Sequence, residues 1–256
     1  MATKFIQHLI AASASDVGKV RAQNEDACLV DVEHGLFIVS DGMGGAQAGA
    51  LASKIVVRVL PRLIKERLTR LKKPSGRTVR LSLRDAIVEL SQQIHKESAN
   101  RIDLKGMGAT VVLVMLRRRW AYLAHMGDSR AYLFRDGQLT QLTDDHSIVG
   151  ILLRHDEITP EEARKHPARG RLSRYVGMKG KVYPDVQTKA LRAEDKLLLC
   201  SDGLSGMLTD IAIAKLLKKH HDPQAACQAL VNGANAAGGK DNTTVVIVAL
   251  QKTGPD

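Results

Sequence analysis

Two rhythms of apolar residues alternate along this chain. Apolar runs at residues 36–39 and 111–116, a nearly all-apolar run at 196–201 and a closing run at 243–250 read as strands. Between them lie stripes of helical period. After Gly45, positions Leu51, Ile55, Val56, Val59, Leu60, Leu63 and Ile64 fall on one face of a long helix, which Pro61 is expected to kink or restart. A basic loop at 71–78 should follow, then a second helix over 81–98 with Leu83, Ile87, Leu90 and Ile94 on its inner face. Strands at 28–32 and 36–40 are separated by Glu33-His34-Gly35, a hairpin spacing. Strands at 111–116, 120–126, 131–134 and 138–142, the last two joined by Asp136-Gly137, read as an antiparallel meander. A helical piece at 148–153 comes next. Thr159-Pro160-Glu161-Glu162 then opens a helix with a cap, a proline and acids in its first turn. Residues 167–185 are polar, basic and rich in glycine, and read as a mobile loop carrying Arg169, Arg171 and Arg174. Helices should follow Thr209 and Asp222-Pro223.

Paired helices and antiparallel hairpins predict an α+β fold of four layers, α-β-β-α, with two antiparallel sheets flanked by helices. They argue against a doubly wound parallel sheet, which needs a helix after each strand. No repeat and no long polar linker divides the chain, so residues 1–256 are expected to form one domain with a core of about 12–250.

Composition narrows the partners. Aromatic residues are 3% of the chain, so the core must be built from Leu, Val, Ile and Ala, and Trp120 alone makes no stacking platform for bases. The formal charge of +11 favours an anionic partner. It is concentrated: between Lys54 and Arg84 there are 11 Lys or Arg and one acid, Glu66, a pattern that fits a solvated face or a docking surface for an acidic or phosphorylated protein. Cys28, Cys200 and Cys227 have no metal-binding spacing and read as buried thiols. The apolar patch at 9–12 is too short for a signal peptide, and no run is long enough to span a membrane. A cytoplasmic monomer is the expectation.

The chemistry lies where apolar runs meet aspartates. Asp41 sits in Ser40-Asp41-Gly42-Met43-Gly44-Gly45, Asp202 in Cys200-Ser201-Asp202-Gly203, Asp128 in Gly127-Asp128-Ser129-Arg130, and Asp241 in Lys240-Asp241-Asn242-Thr243. Carboxylates converging from strand ends make an oxygen-rich site for magnesium or manganese. Two divalent cations about 4 Å apart acidify a water and steady a transferred phosphoryl group. A tight glycine turn lets a carbonyl such as that of Gly42 join the ligands. Glu25 and Asp26, beside a strand, add oxygens, and Arg21 is a candidate fork for phosphate. No Ser-His-Asp spacing and no phosphate-binding Gly-Lys-Ser/Thr loop is present.

These residues, in their order and spacing, resemble the bacterial-type PP2C (PPM) family of metal-dependent protein serine/threonine phosphatases. The resemblance runs from Asp16 to Leu250. It also includes Asp16-x-Gly18-x-x-Arg21-x-x-Asn24-Glu25-Asp26, Gly106-x-Gly108-Ala109-Thr110, Thr143-x-Asp145-His146-Ser147 and Asp241-Asn242-Thr243-Thr244. It implies the same four-layer sandwich. It also implies a manganese or magnesium pair bridged by Asp41, with the Gly42 carbonyl completing one ion and Asp202 and Asp241 binding the other. Glu25 and Asp26 would act through waters or by holding neighbours. A third, weaker ion would take Asp128 together with Asp202, and Arg21 would bind phosphate. The implied reaction is direct attack of a metal-bridging water on the phosphorus of phosphoserine or phosphothreonine in proteins, with a bacterial-type Ser/Thr kinase as counterpart. The chain departs from some members at Met43, where a histidine protonates the leaving oxygen. Methionine cannot do this; a metal-bound water is the preferred donor, with His146 second. Residues 166–185 match the family's variable flap.

Three alternatives stand beside this reading. A catalytically inactive relative that binds phosphoproteins is disfavoured by the complete set Arg21, Asp41, Asp202 and Asp241. A nucleic-acid-binding protein rests on charge alone, without a recognition module. A phosphatase for small phosphorylated molecules shares the same metal core.

Overall fold

The computed structural model describes residues 9–251. Its strands are β1 (Leu9–Asp16), β2 (Asp26–Asp31), β3 (Leu36–Met43), β4 (Gly108–Ala109), β5 (Val111–Arg117), β6 (Trp120–Met126), β7 (Arg130–Arg135), β8 (Gln138–Gln141), β9 (Asp185–Ala190), β10 (Lys196–Cys200) and β11 (Thr243–Leu250). Its α-helices are α1 (Ala46–Thr69), α2 (Gly76–Ala99), α3 (Ile148–Arg154), α4 (Pro160–Lys165), α5 (Asp202–Ser205), α6 (Asp210–Lys219) and α7 (Pro223–Ala236). One antiparallel sheet has the order β1-β11-β10-β7-β8, the other β2-β3-β5-β6-β9, with β4 against β3. Helices α1 and α2 cover the second sheet and α7 packs on the first, giving the expected α-β-β-α sandwich.

Strand alternation explains why the apolar runs are unbroken. In β5, Val112, Val114 and Leu116 face the other sheet, while Val111, Leu113 and Met115 face the helices α1 and α2. In β10, Leu197 and Leu199 point between the sheets, and Leu198 and Cys200 point toward α6 and α7. The middle of each central strand is buried on both faces, so its residues are apolar on both, and polar side chains such as Ser40, Asp41, Thr243 and Thr244 gather at one end of the sandwich. Three apolar layers result: helices on sheet, sheet on sheet, and sheet on helices.

Several expectations shift. α1 runs unbroken through Pro61. α2 begins at Gly76, earlier than the apolar stripe indicates, because the Ser75 hydroxyl caps Thr78 N–H. The meander is split: β5 and β6 belong to one sheet, β7 and β8 to the other, and the chain crosses between them at Gly127-Asp128-Ser129. β1, read as a weak apolar patch, is a full edge strand paired with β11 from Leu9 to Asp16. β9 has no apolar run to announce it, since it is an edge strand of half-buried polar residues. The polar tail from Gln251 to Asp256 reads from its sequence as frayed, and beyond Gln251 it lies outside the described residues.

Candidate active site

The acidic residues meet at one end of the sandwich. Asp41 is carried inside β3, which continues through Met43 by pairing Gly42 with Ala109 of β4, so Asp41 lies within the strand and not at its tip. Asp41 N–H donates to Thr110 Oγ1 at 2.9 Å, and its carbonyl accepts from Thr110 N–H at 2.8 Å. Thr110 Oγ1 in turn lies 2.6 Å from Ser129 Oγ, which ties the strand to the inter-sheet crossover. Gly42 is dictated by close approach: a Cβ there would meet the Gly49 carbonyl oxygen of α1 at 2.0 Å. Asp202 opens α5 directly after β10. Asp128 sits at the crossover, and Asp241 lies just before β11.

Arg21, Glu25, Asp41, Gly42, Met43, Asp128, Asp202 and Asp241 line a single cleft of about 300 Å³. Asp26 stands behind it. Its Oδ2 accepts from Ser201 Oγ at 2.7 Å, and Ser201 Oγ accepts from Thr244 N–H at 3.0 Å, so Asp26 holds the residue that precedes Asp202. Asn242 is an organiser that sequence reasoning missed. Its Oδ1 accepts from Glu25 N–H at 2.8 Å, and its amide donates to the Val17 and Gln23 carbonyls, both at 2.9 Å. One side chain thus pins the loop carrying Arg21 and Glu25 to the loop carrying Asp241. Its place in Asp241-Asn242-Thr243 was the only signal.

The electrostatics are those of crowded anions. Burial first, and then the charges of Asp26, Asp202 and Asp128, hold the Asp41 carboxyl well above its ordinary range. Burial and then Asp202 and Asp145 do the same to Asp128. Burial and Asp241 raise Asp202, against a bond with Asp41 that lowers it. Asp26 is pushed up to about 7, chiefly by burial. Arg21 Nη2 donates to Asp241 Oδ2 at 2.8 Å, while the charges of Arg169 on Asp202 and of Arg130 on Asp128 offset only part of the rise. Asp202 Oδ1 and Asp26 Oδ1 are buried without a hydrogen-bond partner. Clustered carboxylate oxygens, some unpaired, fit hard divalent cations.

A second group of metal-ligating side chains lies nearby. The donor atoms of His125, His146 and Asp185 fall within 4.8 Å of one another, a grouping compatible with a divalent cation. It does not line the acidic cleft, and its donors are engaged. His146 Nε2 contacts Asp185 Oδ2 at 3.0 Å, and His146 Nδ1 accepts from Gly127 N–H at 3.3 Å. This pairing assigns the proton to Nε2. His125 Nε2 donates to the Asp144 carbonyl at 2.9 Å, and the two rings stack at 4.5 Å. Fully buried behind the wall, His146 is not in the cleft, which removes it as a proton donor to a leaving group there.

The flap arginines divide. Arg174 pairs with Asp185 at 2.9 Å and donates to the Tyr183 carbonyl. Arg169 Nη2 donates to the Gly206 carbonyl at 3.2 Å, next to the cleft. Arg171 is exposed. The basic segment forms the outer faces of α1 and α2, with Lys54, Arg58, Arg62 and Lys65 exposed along one helix stripe.

Residues 19–236 match the model of a family described as Protein phosphatase 2C. Serine/threonine phosphatase stp of Listeria welshimeri is 38% identical over 237 residues, covering 91% of this chain and 93% of that protein. The structure of serine/threonine phosphatase Stp1 from Staphylococcus aureus superposes with a TM-score of 0.86 at 33% identity, covering 95% of this chain and 96% of the other. The catalytic domain of serine threonine protein phosphatase PstP in complex with 2 manganese ions gives 0.76 at 34% identity, with 96% and 99% covered.

Proposed function

From a chain that belongs to the protein phosphatase 2C family and is a metal-dependent serine/threonine phosphatase, we infer that Asp41, the Gly42 carbonyl, Asp202 and Asp241 hold a pair of manganese or magnesium ions. Asp128 joins Asp202 at a third position, and Glu25 and Asp26 support the set. The observation that carries this is the unpaired, buried Asp202 Oδ1 in a cleft lined by four aspartates. Bound there, the ions supply an acidified water and positive charge for the transferred phosphoryl group.

The chain's own residues do the rest. Arg21, half-exposed at the cleft mouth, grips phosphate oxygens with a guanidinium fork. In the free protein that fork rests on Asp241. Thr110, Ser129 and Asn242 fix the backbone that presents Asp41 and Glu25, so the carboxylates do not reorganise during the reaction. Met43 lines the cleft and offers no proton, so the leaving oxygen takes its proton from solvent within the site. The reading treats residues 12–250 as one catalytic domain, supported by three continuous apolar layers. Its substrates are phosphoserine and phosphothreonine proteins, the products of a bacterial-type Ser/Thr kinase, met by a monomer in the cytoplasm. Among the described residues no helix is long and apolar enough to cross a membrane.

Phosphate release from a phosphothreonine peptide, with manganese, with magnesium and with chelator, tests the assignment. Release that requires added metal and vanishes in Asp202→Asn supports it. Release unaffected by chelator, or retained by that variant with equal metal content, overturns it.

A further inference from the structure

A second hollow opens from the acidic cleft. It is a groove of about 450 Å³, and Asp128, Gly170 and Asp202 line both spaces. One wall is built by α3 and α4, with Val149, Leu153 and Pro160 on it. The other is the turn from α5 into α6, with Leu208 and Ile211. Arg164 and Arg169 stand along it, with Arg169 reaching across to the Gly206 carbonyl; Arg130 and Asp145, which pair with each other, and Asp210 also line it.

Ile211 is out of place for a packing residue. It sits in the first turn of α6 and is 83% exposed, while Ile213 of the same helix is fully buried. Apolar surface on both walls, continuous with a phosphate-sized cleft, is surface that a ligand covers and water does not favour. A phosphorylated side chain in the cleft leaves its own backbone at the cleft mouth, and the groove is the continuous path away from it.

Resting on the phosphatase reading of the cleft, we propose that this groove receives the stretch of phosphoprotein on one side of the phosphorylated residue. An apolar side chain packs on Ile211 and Leu208, and acidic side chains lie toward Arg164 and Arg169. Ile211 is a specificity-determining residue for protein substrates. It has no role for a small phosphate ester, which fills the cleft alone. Covering an isoleucine and its partner side chain changes binding by about tenfold.

The test uses wild type, Ile211→Ser and Arg164→Gln with manganese present. Substrates are p-nitrophenyl phosphate and phosphothreonine peptides. One peptide series has leucine and aspartate N-terminal to the phosphothreonine and another has them C-terminal; in a third, glycine replaces both. The expected result is an about tenfold fall in kcat/KM, through KM, for Ile211→Ser on one leucine series. Its rates on the glycine peptide and on p-nitrophenyl phosphate stay at the wild-type level, and Arg164→Gln loses preference for aspartate on the same side. Equal kcat/KM for wild type and Ile211→Ser on both leucine series overturns the groove assignment. So does an equal loss on every substrate, which marks a structural effect. Wild type that hydrolyses none of the compounds overturns the phosphatase reading itself, a distinguishable outcome.

Discussion

Two clusters of ionisable side chains lie close together in this fold and have opposite characters. In the acidic cleft, Asp41, Asp128 and Asp202 are held above their ordinary range by burial and by one another, and Asp202 Oδ1 has no partner. Behind it, His146 and Arg174 bond to Asp185, and His125 bonds to the Asp144 carbonyl. The His146 bond, and then Arg174, hold Asp185 well below the usual carboxylate range. Both are rich in metal-ligating residue types, yet only the first is short of positive charge. Donor type marks a candidate site; unmet hydrogen bonding and unbalanced charge mark where a cation and a phosphate belong. The second cluster is a clamp. His146 joins the Gly127 amide beside Asp128 to Asp185, and its carbonyl accepts from Ser173 of the flap at 2.8 Å.

Substitutions with opposite signs sharpen this contrast. The largest effect is expected for Asp202→Asn. Turnover should fall by about a thousandfold or more, while in metal-free protein the thermal midpoint rises by roughly 2–4 °C as like-charge repulsion is relieved. A lowered midpoint in chelator, read by calorimetry, would mean the cleft is not strained by its charges. Next comes Arg21→Ala, for which the Michaelis constant should rise about tenfold with turnover little changed. An unchanged constant with a lower turnover would move Arg21 from binding to the chemical step.

In the clamp, Asp185→Ala leaves the buried His146 Nε2–H unpaired. Stability should fall by about 1–3 kcal/mol, and limited proteolysis should cut first within 166–184, with a smaller loss of turnover than at Asp202. Rapid proteolysis elsewhere would show that Asp185 does not hold the flap.

The most gradual effect is a pH slope. Burial, and then His146, lower His125 to about 4, from 6.5 when free. Asp185 and Arg174 also face this group. The unfolded chain therefore binds the extra proton first as pH falls. The stability is fully present above about pH 6.5 and is lost between 6.5 and 4, about 3 kcal/mol at most. Denaturant titrations should show that slope in wild type and a flatter one in His125→Gln. Equal slopes would place the acid sensitivity elsewhere.

Legibility followed burial. Central strands such as β5, β10 and β11 are buried on both faces, so each leaves an unbroken apolar run that reads directly. The edge strands β1 and β9 are half-buried, so β1 shows only a weak apolar patch and β9 past Asp185 shows no pattern that assigns it. Helix starts were visible where a cap and proline coincide, as at Thr159-Pro160. Asp41, Asp128 and Asp202 were legible because each adjoins an apolar run beside glycine, a combination that packing alone does not select, and Asp241 because it stands just before the closing strand.

What the sequence by itself determined is therefore the layer order, the acidic set with Arg21, and the family they resemble, because periodicity and motif order are local properties. Only the tertiary structure decided the rest. It split the meander at Gly127-Asp128, so that Asp128 enters the cleft from between the sheets. It made Asn242 a joint between two loops far apart in the chain. It withdrew His146 from the site, and it set Ile211 across from α3 and α4 as the wall of a groove. Each of these depends on contacts between residues distant in sequence, and such contacts exist only once both sheets have closed on their shared core.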